Sequence, residues 1–526
     1  MKVVSPQRAA ELVPPGATVM VDGSGGGVNE PDLILRAIAE RFAETGTPTD
    51  LRVVHPNGLG DGDGSGVDRL AEPGLVRGVI GGHWGWSSRM QALAEANEIE
   101  AYCLPQGTMS QLLREIAGGR PGVMTRVGMG TFVDPRLDGG RLNDRARQEL
   151  VRLIDLDGEE WLLYRSFPID VAVIRASLAD ESGNLVFDQE GILCEQLPAA
   201  QAAKNSGGVV IAQVKHVAQA RTLDPRRVKV PGVLVDAVVV DRDQTLSTTT
   251  TSDPGLTGEA RVVDSEGQLE PGPRRLIARR AAAELRDGDI VNLGYGMADG
   301  VAQILAEEGL ETRVTFTVEQ GHVGGVPMGG SDFGLVRNPE ASLDATAQFD
   351  WYDGGGLDVS FLSFAEIDAR GRVNVSRFAG RTPGVGGFLN IAHGAGRIVF
   401  VGTLRAGPAD IRVGDGGIEI VADAPTAKFV DRVHHVSFDA GRAAGEGKHV
   451  LVVTERAVFN VARDGLELIE VAPGADIERD VVGRMEFVPR ISASLEPMDP
   501  DAFASGTTGM SLAPPRRAEP HLAEAS

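Results

Sequence analysis

One order of elements occurs twice in this chain of 526 residues, and that repetition limits the folds open to it more than any other feature. Residues 7–12 read as a helix, Pro14-Pro15-Gly16 as a turn and Ala17–Val21 as a strand. A glycine loop, Asp22–Asn29, follows. Pro31–Glu44 then places Leu33, Leu35, Ile38, Ala39 and Phe42 on one side of a helix, and Leu51–His55 is the next strand. Helix 276–285, turn 287–289, strand 290–293, loop Gly294–Gly300, helix 301–308 and strand 313–318 repeat that order, and Ala-Ala-Glu-Leu stands at matching points, 9–12 and 282–285. A second pair agrees. Phe167–Ile174 and Gly356–Leu362 are apolar strands, each leading to a hairpin turn of Asp-x-x-Gly type, at Asp180–Gly183 and Asp368–Gly371. The expected fold is α/β: two similar open domains from an internal duplication, with mostly parallel sheets and helices on both faces. Their bounds are 1–265 and 270–510, joined near Gly255–Pro273, and 511–526 reads as a disordered tail.

The stretch Val314–Pro327 is the most pointed chemically. It begins as a buried β-branched strand and ends in glycines that let the backbone turn sharply and approach a ligand. Between them stands one carboxylate, Glu319, at the carboxyl end of a strand, where open α/β sheets bind ligands. Such a carboxylate serves as base, metal ligand or nucleophile; the plain alternative is a strand-end group that caps backbone or pairs with an arginine.

The other motifs are weaker singly. Gly23–Gly27 and Gly294–Gly300 each join strand to helix, where backbone N–H groups favour phosphate. Neither completes a dinucleotide fingerprint, there is no Walker lysine, and a tight turn explains each equally well. Gln106 stands at a helix entrance in Leu104–Thr108 and could aim its amide at an oxyanion, or satisfy a loop carbonyl. Gly384–Phe388 could set a backbone N–H beside a reacting carbonyl, or be a turn. His83, next to Trp84, reads as a packed, hydrogen-bonded ring.

A net charge of −23 and a pI near 4.9 argue against general nucleic-acid binding and against an anionic membrane surface. Cys103 and Cys194 make no CxxC, and the nine histidines show no HxH or HExxH spacing, so no metal is expected. No signal peptide and no apolar run of membrane-spanning length are read, so a soluble cytoplasmic protein is expected.

At Thr317–Gly321, read with Gln106 and the paired glycine loops, the chain resembles the family I CoA-transferases. It is similar to the single-chain acetate/propionate type, which fuses the two subunits separate in 3-oxoacid CoA-transferases. The resemblance runs through Val79–Gly85, Leu104–Gly107, Val127–Arg136, Gln348–Gly356, Gly384–Phe388 and Val453–Phe459. It implies transfer of CoA from a short-chain acyl-CoA to a free carboxylate by ping-pong chemistry through a glutamyl-CoA thioester. The nucleophile falls on Glu319, the oxyanion-hole glutamine on Gln106, and the backbone donor on Gly386 within the Gly384–Gly387 loop. Contacts to CoA fall on Gly294, Tyr295, Gly296, Met297 and Ala298, on Gly384 and Gly387, and on Gly23, Gly25 and Gly26 of the first loop. His322 stands where many relatives carry proline, which bears on acyl preference. Coenzyme A enters as substrate, with no permanently bound cofactor, and a homodimer or homotetramer is implied. An acyl-CoA hydrolase and a non-catalytic acyl-CoA-binding relative are the alternatives. Because attack needs an ionised nucleophile, the Glu319 pKa is expected not to be strongly raised.

Overall fold

The computed structural model describes residues 2–263, 269–414 and 416–515. Apolar runs such as Val171–Ile174 and Ile398–Val401 become parallel strands because both of their faces are covered. The first half builds a nine-stranded sheet. Its order is Val3–Val4, Ala237–Val240, Val209–Ala218, Val171–Asp180, Thr18–Val21, Leu51–His55, Val76–Gly81 and Glu100–Cys103, all neighbours parallel, with Leu185–Val186 paired antiparallel to Val171–Asp180.

The second half builds a ten-stranded sheet. Thr315–Val318, Ile290–Leu293, Val359–Ser363, Arg397–Val401 and His449–Val453 form its parallel centre. His322–Val323 and Ala341–Ser342 extend one edge, and Ala457–Ala462, Gly465–Val471 and Arg490–Pro497 the other.

The duplication is visible in strand order. In each half the strand before the glycine loop lies between the strand that follows it in sequence and the strand leading to the Asp-x-x-Gly hairpin. Thr18–Val21 sits between Leu51–His55 and Val171–Asp180; Ile290–Leu293 sits between Thr315–Val318 and Val359–Ser363. The halves then diverge. After Leu51–His55 the sheet continues with two more parallel strands. After Thr315–Val318 the chain reverses at once into His322–Val323. Gly321 makes that reversal possible: its φ is +117°, and a Cβ there would lie 2.1 Å from the Leu343 carbonyl oxygen.

One apolar core crosses both halves, joining Val19, Ile80, Phe132 and Val173 to Phe349, Phe400 and Phe459. A second core, with Ile277, Leu305, Phe361 and Val453, covers the other face of the second sheet. The helix Pro273–Ala282 buries Arg275 and Arg279 there, each paired at 2.5 Å, with Glu307 and Glu308. It starts three residues before the expected position because proline suits the first helical turn.

The tail expected from residue 511 is pinned where it is described. Asp287 N–H donates to the Ala513 carbonyl at 2.9 Å, and Ala513 pairs with Arg286. Residues 516–526 of that expectation, and 264–268 of the joining segment, lie outside the described residues. Among the described residues no helix is long and apolar enough to cross a membrane.

Candidate active site

Glu319 follows the strand Thr315–Val318 in a turn closed by Gly321 N–H donating to Val318 O at 3.0 Å. The side chain is buried, 6% exposed. The Asn292 amide, at the end of the neighbouring strand, lies 3.4 Å from Glu319 Oε2. Behind them Tyr352 donates to Thr317 Oγ1 at 2.7 Å and accepts from Gln348 at 3.0 Å. Burial pushes the Glu319 carboxyl above the ordinary carboxylate range. Its own backbone N–H and the Asn292 and Gln320 amides pull it back toward the ionised form.

Gln106 comes from the other half, as the first residue of the helix Gln106–Ala117, and is 3% exposed. Its backbone N–H donates to Gly386 O at 3.0 Å, and its side-chain amide donates to Asn57 Oδ1 at 2.6 Å. Gly386 and Gly387 lie between the two side chains. A Cβ placed on Gly386 would be 3.6 Å from Gln106 Oε1; one on Gly387 would be 3.2 Å from Glu319 Cγ. Two adjacent glycines thus bring together a carboxylate and a carboxamide that are 213 positions apart in sequence (319 − 106).

The backbone donor expected from this loop is Gly386. Gly386 N–H already donates to Gly82 O at 2.8 Å, as Val385 N–H does at 3.1 Å. Gly387 N–H has no acceptor among the described residues. The loop is held main chain to main chain against the first half: His83 and Gly384 form an antiparallel bridge, and Trp84 and Gly85 N–H groups donate to Pro383 O at 2.6 and 3.0 Å. His83 is therefore at the site, where burial lowers its pKa to about 4 and keeps the ring neutral.

The two glycine loops differ. Gly294–Ala298 is partly open, and Tyr295 is 54% exposed with its ring edge-on to Phe333, centroids 5.1 Å apart. Gly23, Gly25 and Gly26 are buried. A Cβ on Gly25 would strike Trp86 at 2.2 Å, and one on Gly26 the Ser331 carbonyl at 2.0 Å. Those glycines allow close packing of protein on protein, which is the turn reading rather than an open cradle. His322 joins the halves: its Nε2 lies 2.6 Å from Gly191 O and its Nδ1 2.9 Å from Ser342 Oγ. A groove of about 1080 Å³ lined by Phe132, Arg136, Arg370, Arg432 and Arg442 lies elsewhere and includes none of these residues.

Two groups escape a reading of the sequence. Asn292 is an interior strand residue with no motif around it. Asn57, in Pro56-Asn57-Gly58, reads as a plain turn; the one available signal is that it follows Leu51–His55 as Gln320-Gly321 follows Thr315–Val318.

The coenzyme A transferase family matches residues 3–241. The acetate CoA-transferase YdiF of Escherichia coli (strain K12) is 42% identical over 512 residues, covering 97% of this chain and 96% of that protein. The caffeate CoA-transferase of Acetobacterium woodii is 42% identical over 518 residues, covering 97% and 98%. A solved structure, the acyl-CoA transferase of E. coli O157:H7 as a thioester complex with CoA, superposes with a TM-score of 0.93 at 40% identity, covering 98% of each chain.

Proposed function

The chain belongs to the coenzyme A transferase family, and from that premise we propose that it moves CoA between carboxylic acids through an adduct on Glu319. The observation that carries this reading is the pair of glycines that sets Glu319 against Gln106 across the two halves. A Glu319 carboxylate oxygen attacks the thioester carbonyl, the C–S bond breaks, and an acyl-glutamyl anhydride and CoA thiolate result. The thiolate attacks the Glu319 carbonyl carbon, the first acid leaves as carboxylate, and a glutamyl-CoA thioester remains. A second acid runs these steps backwards. One weak nucleophile facing a thioester is thereby replaced by two easier exchanges.

Each tetrahedral intermediate carries an oxyanion. The free N–H of the Gln106 amide and the Gly387 N–H are the donors in this reading, with Gly387 replacing Gly386. Loss of one such donor typically costs about 10²–10³ in rate. The buried setting of Glu319 favours transfer over hydrolysis, because water reaching the anhydride or thioester would end the cycle. The open loop Gly294–Ala298, with Tyr295, is our choice for CoA contact; the covered loop at Gly23–Gly26 is not. Domains at 1–265 and 270–510, a cytoplasmic setting and a homodimer or homotetramer belong to the same reading. Relatives named for acetate and for caffeate frame the acceptor class as small carboxylic acids.

The test is intact-protein mass spectrometry after incubation with acyl-CoA alone. A CoA adduct mapping to Glu319, absent from Glu319→Gln, is the expected result. Verified turnover with no adduct overturns the covalent route.

A further inference from the structure

Behind Gln106 stands a buried chain of side chains that ends in two carboxyl groups. Gln106 Nε2 donates to Asn57 Oδ1 at 2.6 Å, Asn57 Nδ2 donates to Glu195 Oε2 at 3.0 Å, and Ser110 Oγ donates to Glu195 Oε1 at 2.5 Å. Asp22 lies next to Glu195, with carboxyl oxygens of the two within 4.8 Å. Asp22, Asn57, Ser110 and Glu195 are all at most 2% exposed. No step of the transfer uses any of them.

We propose that Glu195 and Asn57 are positioning residues that fix which face of the Gln106 amide meets the oxyanion. The inference rests on the oxyanion role given to Gln106 above. The logic is one of polarity. A carboxylate only accepts hydrogen bonds, so Asn57 must turn its NH₂ toward Glu195. Its C=O then faces Gln106 and accepts one of that amide's N–H groups. The second N–H makes no hydrogen bond among the described residues and is the one free to meet an oxyanion. The opposite flip would set Oε1 against the developing negative charge.

The second carboxyl explains how a charge can sit there. Two buried carboxylates side by side cannot both ionise, so one proton is shared. Burial and the neighbouring Glu195 drive Asp22 well above its ordinary range, and burial raises Glu195 to about 7. Asp22 is the member pushed further toward the protonated form. Its Oδ2 makes no hydrogen bond among the described residues, while Oδ1 accepts from Gly23 N–H at 3.0 Å and from Glu195 N–H at 3.4 Å. His55 Nδ1, 2.6 Å from Asn57 O, fixes the backbone of the middle member.

The test compares kcat and KM for the acyl-CoA among folded variants. Gln106→Leu should lower kcat by about 10²–10³. Glu195→Gln should lower kcat by about 10–10², with KM within about threefold, because the amide can now adopt either polarity. The exchange Glu195→Gln with Asn57→Asp restores an acceptor to Gln106 and should recover kcat by about tenfold over Glu195→Gln alone, which a merely structural role would not do. Asn57→Ala combined with Gln106→Leu should be no slower than about twofold below Gln106→Leu, since the two act as a unit. Glu195→Gln with wild-type kcat, or an exchange variant no better than Glu195→Gln, overturns the proposal. If Glu195→Gln does not fold, additive loss in the Asn57–Gln106 cycle overturns it instead. Wild-type kcat in Gln106→Leu overturns the oxyanion role and this inference together; a crippled Gln106→Leu beside a normal Glu195→Gln removes this inference alone.

Discussion

The turn after Leu51–His55 and the turn after Thr315–Val318 hold matching places in the two sheets, yet they carry opposite chemistry. In the first half the turn is Pro56-Asn57-Gly58, and its amide braces the donor Gln106. In the second it is Glu319-Gln320-Gly321, and its carboxylate is the group assigned to attack. In the reading proposed above, the same strand end is a support in one copy and a reactive centre in the other. Duplication supplied two equivalent positions, and their surroundings differ: one sheet continues past the turn while the other reverses at Gly321.

The sharpest way to break this contrast is to neutralise the reactive copy. Glu319→Gln should lower kcat by at least about 10⁴-fold, the scale seen when a catalytic nucleophile is removed, while circular dichroism stays unchanged. A variant that keeps more than a few per cent of activity would make the two turns equal supports. Next in size, Gly387→Ala adds a Cβ 3.2 Å from both Glu319 Cγ and Ile391 Cδ1. Its φ of −75° tolerates alanine, so the effect is displacement of the nucleophile. Loss of about 10–10² in kcat is expected from such a shift, and stopped-flow adduct formation reads it directly.

A pH profile sharpens the same comparison. Glu319 must be ionised, and burial raises its pKa, so kcat/KM should fall as pH drops through a limb above the ordinary glutamate value of about 4.3. A limb at or below that value would mean that the carboxyl is solvated. The smallest effect is on stability. Glu30, buried in the first half, has its pKa raised by burial to about 8. The folded state holds that proton more tightly than the unfolded chain. Stability is therefore full below the ordinary value and is lost as pH rises toward 8. Glu30→Gln should melt several degrees above wild type at pH 8.5, at about 2–4 °C per kcal/mol, and level with it at pH 5. Calorimetry showing equal melting at both would remove the buried charge as a cost.

Glu319 was legible because a β-branched strand, one carboxylate and a glycine run are all local. The duplication was legible for the same reason: each copy repeats a short order of local signals. Glu195 was not, since its partners Ser110 and Asn57 stand 85 and 138 positions away. Nor was the choice between Gly386 and Gly387, which depends on the Gly82 carbonyl capturing one N–H and leaving the next. The glycines at 23–26 look like a phosphate cradle in sequence. The Trp86 ring and the Ser331 carbonyl packed against them have no local mark in the sequence. The backbone contact at Ala513 has no local signal, because the hydrogen bond to it comes from Asp287.

The bridge between His83 and Gly384, with Pro383 accepting from Trp84 and Gly85, joins the halves through backbone alone. Main-chain recognition does not depend on which side chains are present. Two separately produced fragments, cut in the joining segment, should therefore find each other and regain turnover. Such a split protein would show activity that climbs with the product of the two fragment concentrations and then saturates, so that fragment titration measures how strongly this pairing and the shared apolar core together hold the halves.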